Sequence, residues 1–309
     1  MPVAIVLNPF SQPDLWLTSL RELLPDEDIY LWPDHPERDE VELLIAWRMK
    51  RDDLNSFENL RAILSMGAGA EQWQKPGTPD VAIIRLSDPA MSDEMAAYAL
   101  HWVLHFQRGF DKPADAGDLP RWFEKTATVA TDYPVGILGF GDIGSRVGRA
   151  FVDLGYPVNA WSRRGTDDSA VRSYRGDAEL SSFLAASRAV VNVLPNTPAT
   201  TGLMDATRFS QFAADSVFIN IGRGTIVADE ADLIHALDDG PLSAVVLDVT
   251  NPEPPDAGSP LLAHPRVRIT RHIAGTTQAA TAAPLIAANI NRIRRGEAPF
   301  PLVDRASGY

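Results

Sequence analysis

Residues 135–144, Val135-Gly136-Ile137-Leu138-Gly139-Phe140-Gly141-Asp142-Ile143-Gly144, run from a strand through three spaced glycines into a helix. Arg146, Val147, Ala150, Phe151 and Leu154 keep the helical period beyond them. Each glycine has a physical task in a G-x-G-x-x-G turn. Gly139 permits the tight turn, Gly141 lets a pyrophosphate approach the backbone, and Gly144 lets helix and strand pack closely. The helix N-terminus then offers free N–H groups and the positive end of its dipole to phosphate. Glycine-rich turns are common, but a strand–turn–helix–strand setting favours a dinucleotide loop over a merely structural turn.

The next strand, Val158-Asn159-Ala160-Trp161, ends in Ser162-Arg163-Arg164. An NAD-preferring site places an acid near here to accept from the ribose 2′-hydroxyl. This chain has a hydroxyl and two guanidinium groups instead, which suit a 2′-phosphate. NADP(H) is therefore the expected cofactor, with NAD(H) as the alternative; two solvated surface arginines are the bland reading.

Outward from this loop the chain alternates strand and helix. Val135–Leu138, Val158–Trp161, Ala189–Leu194, Val217–Asn220, Ala244–Val249 and Val267–Thr270 are strand candidates with helical segments between most of them, the pattern of a doubly wound α/β domain. Arg175-Gly176-Asp177 reads as a turn. Upstream, Val3–Leu7, Ile29–Trp32, Glu42–Trp47, Leu60–Met66 and Val81–Leu86 are apolar runs without alternation, as expected of strands buried on both faces of a parallel sheet. Ala90–Arg108 and Pro284–Gly296 read as helices, and Phe110–Asp132 as a polar connecting loop.

The chain has 309 residues, 45% apolar and 22% charged, enough for two domains with ordinary cores. Cysteine is absent, which excludes disulfides, thiolate metal sites and cysteine nucleophiles. A net charge of −13 without a basic block argues against nucleic acid and anionic membranes as partners. No run reaches the ~18 apolar residues of a membrane helix. The N-terminus reads as a buried strand rather than a signal peptide, so a cytoplasmic location is expected.

Ligands of open α/β sheets bind beyond the carboxyl ends of the strands. Three polar residues arrive there: Arg223 after Val217–Asn220, Glu253 after Ala244–Val249, and His272 after Val267–Thr270. Together they suit hydride transfer to a 2-oxo acid. Arg223 would pair with the substrate carboxylate and polarise its carbonyl. His272 would protonate the carbonyl oxygen, and Glu253 would hold the imidazole in place and keep it protonated. Taken singly, each has a bland reading as a structural histidine or a solvated charge. Their order on successive strands favours chemistry.

Gly139-x-Gly141-x-x-Gly144, Asn220-Ile221-Gly222-Arg223-Gly224, Leu247-Asp248-Val249 with Glu253-Pro254, and His272-Ile273-Ala274 resemble the D-isomer-specific 2-hydroxyacid dehydrogenases, in particular the glyoxylate/hydroxypyruvate reductases of the bacterial A type. Met66-Gly67-Ala68-Gly69, Leu194-Pro195-Asn196-Thr197-Pro198 and the ending Val303–Tyr309 extend the likeness over the whole length. The resemblance implies an α/β chain of two domains with a cleft between them. A Rossmann-type doubly wound nucleotide-binding domain, 96–284, is inserted into a flavodoxin-like substrate domain made of 1–95 and 285–309.

The resemblance also implies a homodimer and further site residues. For the cofactor it adds Asp142 and Ile143 of the glycine loop, then Leu194, Pro195 and Thr200, and finally Ile221, Gly222, Asp248 and Ala274, beside Arg223 and His272. Asp248 would lie near the nicotinamide. For the substrate it adds the backbone of Met66, Gly67, Ala68 and Gly69, with Trp47 walling the pocket. Two departures lie near the site: Arg271 stands where the family usually has proline, and Thr250 where phenylalanine is common.

The expected activity is NADPH-dependent reduction of glyoxylate to glycolate and of hydroxypyruvate to D-glycerate. A reductase of bulkier 2-oxo acids such as phenylpyruvate, or a non-catalytic NAD(P)-sensing protein, stay open as alternatives. His101 and His105 have a spacing that could ligate zinc, but lack a third ligand nearby, so packing is expected of them and no metal site. Trp122, in the polar loop, is a candidate to reach a partner subunit's substrate pocket.

Overall fold

The computed structural model describes residues 4–34, 37–112 and 128–306; Trp122 lies outside them. In chain order the elements are β1 (Ala4–Asn8), α1 (Pro13–Leu23), β2 (Asp28–Leu31), β3 (Val41–Ala46), α2 (Arg51–Leu54), β4 (Ala62–Ser65), β5 (Ala82–Ile84) and α3 (Pro89–Gln107). There follow β6 (Val135–Leu138), α4 (Asp142–Asp153), β7 (Val158–Ser162), β8 (Arg172–Arg175), α5 (Gly176–Ala185) and β9 (Ala189–Asn192). The last elements are α6 (Ala206–Phe209), β10 (Ser216–Asn220), α7 (Glu230–Asp238), β11 (Leu242–Leu247), β12 (Val267–Ile269) and α8 (Ala279–Arg294). No helix among the described residues is long and apolar enough to cross a membrane.

The chain forms two units, Met1–Met91 with Thr276–Tyr309, and Ser92–Gly275. Both boundaries fall earlier than the 95/96 and 284/285 divisions expected from the sequence. At the second, Pro284 lies inside α8 rather than at its start, and Ala279, Ala282 and Ala283 before it are buried in the first unit's core.

The first unit carries a parallel five-stranded sheet in the order β2-β1-β3-β4-β5, the flavodoxin-like order. Successive residues of a strand face opposite sides, and both sides are covered. Ile5 and Leu7 pack with Trp16 and Leu20 of α1 and Ile286 and Ile290 of α8. Val6, between them, packs on the other side with Phe57 and Trp73. Burial on both faces is why these strands read as continuous apolar runs.

The second unit has seven parallel strands in the order β12-β11-β10-β9-β6-β7-β8, a Rossmann order extended by one strand. Phe218 joins the core formed with α5 and α7, while Val217 and Ile219 join the core formed with α3 and α4. The seventh strand, β8, corrects the sequence reading: Arg175 ends a strand and Gly176 begins a helix, where a turn was expected. Of its four residues only Tyr174 is buried. An edge strand pairs on one side and needs no apolar run, so hydropathy does not mark it.

Candidate active site

Chain order reverses in the second sheet between β6 and β9, both of which lead out of the sheet there. The glycine loop leaves β6 at this switch point. Gly139 has φ 105°, and its N–H donates to the Trp161 carbonyl at 2.9 Å. A Cβ on Gly144 would stand 1.9 Å from the Gly139 carbonyl oxygen, so only glycine lets the helix close on the turn. A Cβ on Gly141 would meet no atom within 4 Å. That open face, at the head of a twelve-residue helix whose N-cap is Gly141, leaves room for a pyrophosphate, and the first-turn N–H groups of Asp142, Ile143 and Gly144 are the donors such a helix start offers an anion. Leu194, two residues past β9, lies against Gly139: a Cβ on that glycine would be 3.0 Å from its Cδ2.

At the far end of β7, Ser162–Gly165 forms a turn closed by Gly165 N–H to the Ser162 carbonyl at 3.3 Å and by the Ser162 hydroxyl to the Gly165 carbonyl at 2.9 Å. Arg163 and Arg164 are exposed on it. Thr200 acts within its own loop, its hydroxyl accepting from Thr197 N–H at 2.9 Å and donating to the Pro195 carbonyl at 2.5 Å.

Two fully buried asparagines, not singled out in the sequence as site residues, tie neighbouring strand ends together. Asn192 donates to the Asn220 side chain at 2.8 Å and accepts from Leu194 N–H at 3.1 Å. Asn220 in turn donates to the Arg223 carbonyl at 3.0 Å and accepts from Gly222 N–H at 3.2 Å. A Cβ on Gly222 would fall 2.7 Å from both Asn192 Nδ2 and the Leu194 carbonyl. One on Gly224 would fall 2.1 Å from Thr250 backbone, so the Arg223 loop is seated directly against the loop that leads to Glu253. Thr250, one of the two departures, bonds through its hydroxyl to the Pro252 carbonyl at 2.8 Å and thereby shapes that loop. Arg271, the other, is exposed.

His272 and Glu253 meet: Nδ1 is 2.7 Å from the carboxylate Oε1, with both side chains partly exposed. Facing a carboxylate, Nδ1 carries the proton, which leaves Nε2 as the working nitrogen. His272 stands at φ 56°, a left-handed backbone uncommon for a non-glycine residue. Asp248, 2% exposed, secures it. The Asp248 carbonyl accepts from His272 N–H at 2.9 Å, and its carboxylate accepts from Ile273 N–H and Ala274 N–H, each at 2.8 Å. The Thr270 hydroxyl adds a bond to the same carboxylate at 2.5 Å and lies 2.6 Å from the Tyr98 hydroxyl on α3. Burial pushes the Tyr98 phenol above its ordinary range, so it stays a neutral hydrogen-bonding partner. Thr270 and Tyr98 were invisible as site residues because 172 positions separate them.

In the first unit, Trp47 directly follows β3 and covers Gly67, where a Cβ would lie 2.7 Å from the indole ring. The Ser65 hydroxyl donates to the Gly69 carbonyl at 3.2 Å, Leu86 N–H donates to the Gly67 carbonyl at 3.1 Å, and the Met66 side chain is buried. The N–H groups of Gly67, Ala68 and Gly69 have no acceptor among the described residues, a concentration of donors that fits an anion.

His101 and His105 sit in a row of rings on α3 with Trp102 and Phe106, at centroid separations of 5.0 to 6.1 Å. Burial shifts the His105 imidazole toward its neutral form.

Comparison with known proteins gives a consistent picture. Residues 100–274 match the profile described as "D-isomer specific 2-hydroxyacid dehydrogenase, NAD binding domain". The chain is 34% identical over 303 residues to the glyoxylate/hydroxypyruvate reductase A of Escherichia fergusonii, covering 95% of this chain and 96% of that protein. It superposes with a TM-score of 0.92, at 35% identity and over the full length of both chains, on a D-isomer specific 2-hydroxyacid dehydrogenase from Xanthobacter autotrophicus Py2 in complex with NADPH and MES. An NADPH-dependent glyoxylate/hydroxypyruvate reductase from Sinorhizobium meliloti, in complex with NADP and sulfate, superposes at 0.87 with 26% identity, over 99% of this chain and 100% of that one.

Proposed function

Since the chain belongs to the D-isomer-specific 2-hydroxyacid dehydrogenases and is thus an NAD(P)-dependent oxidoreductase, we propose that it reduces small 2-oxo acids with NADPH, glyoxylate to glycolate and hydroxypyruvate to D-glycerate. The observation that carries the reading is the His272–Glu253 pair at 2.7 Å, on a loop locked by Asp248 in a Rossmann unit. When bound, the nicotinamide cofactor supplies the hydride; the residues do the rest. Arg223 pairs with the substrate carboxylate and draws electron density toward the carbonyl oxygen. His272 Nε2–H donates its proton to that oxygen as the alkoxide develops, and Glu253 Oε1 stabilises the imidazolium beforehand.

The glycine loop and α4 N-terminus take the pyrophosphate, and Ser162, Arg163 and Arg164 take the 2′-phosphate. Leu194, Pro195, Thr200 and Ile221 flank the rest of the cofactor, and Ala274 with Asp248 lies at its nicotinamide end. In the first unit, Trp47 and the Met66–Gly69 backbone are assigned to the substrate, supported by the acceptor-free N–H groups of Gly67, Ala68 and Gly69. A homodimer and a cytoplasmic location belong to the same reading. Supporting the dimer, Phe110 is 69% exposed at the end of the α3 ring row.

The test follows NADPH oxidation by purified protein with glyoxylate, hydroxypyruvate, pyruvate and phenylpyruvate. Fast turnover of the two smallest oxygenated acids is expected, with NADH slower. Preference for phenylpyruvate would replace the substrate assignment. Cofactor binding without turnover on any acid would make the chain a nucleotide sensor.

A further inference from the structure

We propose that Arg175 is a third basic residue of the cofactor's 2′-phosphate site, holding the Arg163–Arg164 turn in place from the neighbouring strand and adding its own charge. The inference rests on the reading that Ser162, Arg163 and Arg164 face that phosphate.

Arg175 is the last residue of β8 and pairs in register with Ser162, the last of β7. Its side chain reaches back over the turn: Nε donates to the Arg164 carbonyl at 2.6 Å. The guanidinium lies against Gly165, where an added Cβ would stand 3.5 Å from Nε and where φ is +75°. A second tie runs the same way, Thr166 N–H donating to the Ser173 hydroxyl at 2.9 Å. The anchoring end of Arg175 is itself fixed. Its N–H donates to Glu179 Oε2 at 2.6 Å, and Trp161 Nε1 donates to the Gly176 carbonyl at 2.8 Å.

Two consequences follow from this placement. The bond to the Arg164 carbonyl holds the Ser162–Gly165 turn in one conformation, so less ordering is left for the ligand to impose. The terminal nitrogens of Arg175 make no other hydrogen bond among the described residues, and neither do those of Arg164. A dianionic phosphate on this turn therefore meets the guanidinium groups of Arg164 and Arg175, with Arg163 beside them on the same turn, while Glu179 is occupied by the Arg175 main chain. In a chain of net charge −13 such a cluster is a local reversal of sign. An isolated surface arginine would need none of this bonding to a turn carbonyl.

The experiment titrates wild-type protein, Arg175→Ala and Arg175→Lys with NADPH and with NADH, reading tryptophan fluorescence, with circular dichroism to confirm folding. Arg175→Ala is expected to weaken NADPH binding about tenfold and leave NADH within about twofold, since only NADPH carries the phosphate. Arg175→Lys should fall between, because it keeps the charge and loses the planar Nε–H donor. A wild type that prefers NADPH together with an Arg175→Ala variant of equal preference overturns this inference and spares the 2′-phosphate reading. Equal loss of both cofactors also overturns it, as general damage to the turn. A wild type indifferent between the two, unaltered by Arg163→Ala or Arg164→Ala, overturns both readings.

Discussion

Replacing Thr270 by valine keeps the shape of the side chain and removes one hydroxyl that serves two partners. That hydroxyl donates to the Asp248 carboxylate at 2.5 Å and lies 2.6 Å from the Tyr98 hydroxyl. A hydrogen bond to a carboxylate contributes about 1.5–3 kcal/mol and a neutral one about 1 kcal/mol. Asp248 is 2% exposed, so water does not readily replace the lost donor. The local loss is therefore about 2–4 kcal/mol, on a loop that also holds His272 at an unfavourable φ of 56°. The amides of Ile273 and Ala274 donate to the same carboxylate and report on it directly. Their hydrogen exchange in Thr270→Val should be faster by roughly thirtyfold or more. Turnover should fall by about tenfold or more through misplacement of the imidazole, with a smaller change in KM. Thr270→Ser, which keeps the hydroxyl, should restore most of both. Unchanged amide protection and turnover in the valine variant would refute the argument that Asp248 positions His272 through this network.

Three further outcomes are expected. Glu253→Gln should lower kcat by about a hundredfold or more while NADPH affinity stays near wild type, because the imidazole loses its charged partner at 2.7 Å and the cofactor loop loses nothing; stopped-flow reduction and equilibrium titration separate the two. Gly144→Ala would force a Cβ to 1.9 Å from the Gly139 carbonyl, a backbone conflict no side chain can relieve; cofactor binding should be abolished, and an alanine variant that still binds NADPH tightly would show that the loop can open. Tyr133, buried, has its phenol pushed up to about 12 by loss of solvation. The folded state thus keeps the proton longer than the unfolded chain, and the stabilisation, about 3 kcal/mol, is whole below the unfolded tyrosine's pH ~10 and lost as pH rises from there through about 12. Melting temperatures measured across this alkaline range should fall more steeply for wild type than for Tyr133→Phe, and parallel curves would count against the assignment.

Much of the architecture was legible because burial leaves a strong local signature. Strands covered on both faces must be apolar throughout, and every such run from Ile29 to Ile269 falls on an observed strand with ends shifted by a few residues. The glycine loop was equally legible, since Gly139 and Gly144 answer to backbone constraints within ten residues of each other. The residues overlooked were those whose work depends on distant partners. Arg172–Arg175 has one buried side chain and shows no hydropathy signal. Asn192 and Asn220 bond each other from separate strands.

Local chemistry alone therefore determined the α/β class, the dinucleotide loop, and the residue types of the Arg223, Glu253 and His272 set. Only the tertiary structure decided what holds that set in place, the Tyr98–Thr270–Asp248 chain beneath His272 and the asparagine pair beneath Arg223, and what braces the Arg163–Arg164 turn, the side chain of Arg175. The physical reason is range. Burial and backbone sterics act on neighbours in sequence and write a period that can be read. A hydrogen bond between side chains far apart in sequence leaves no such period, and becomes visible once strand order has set them side by side.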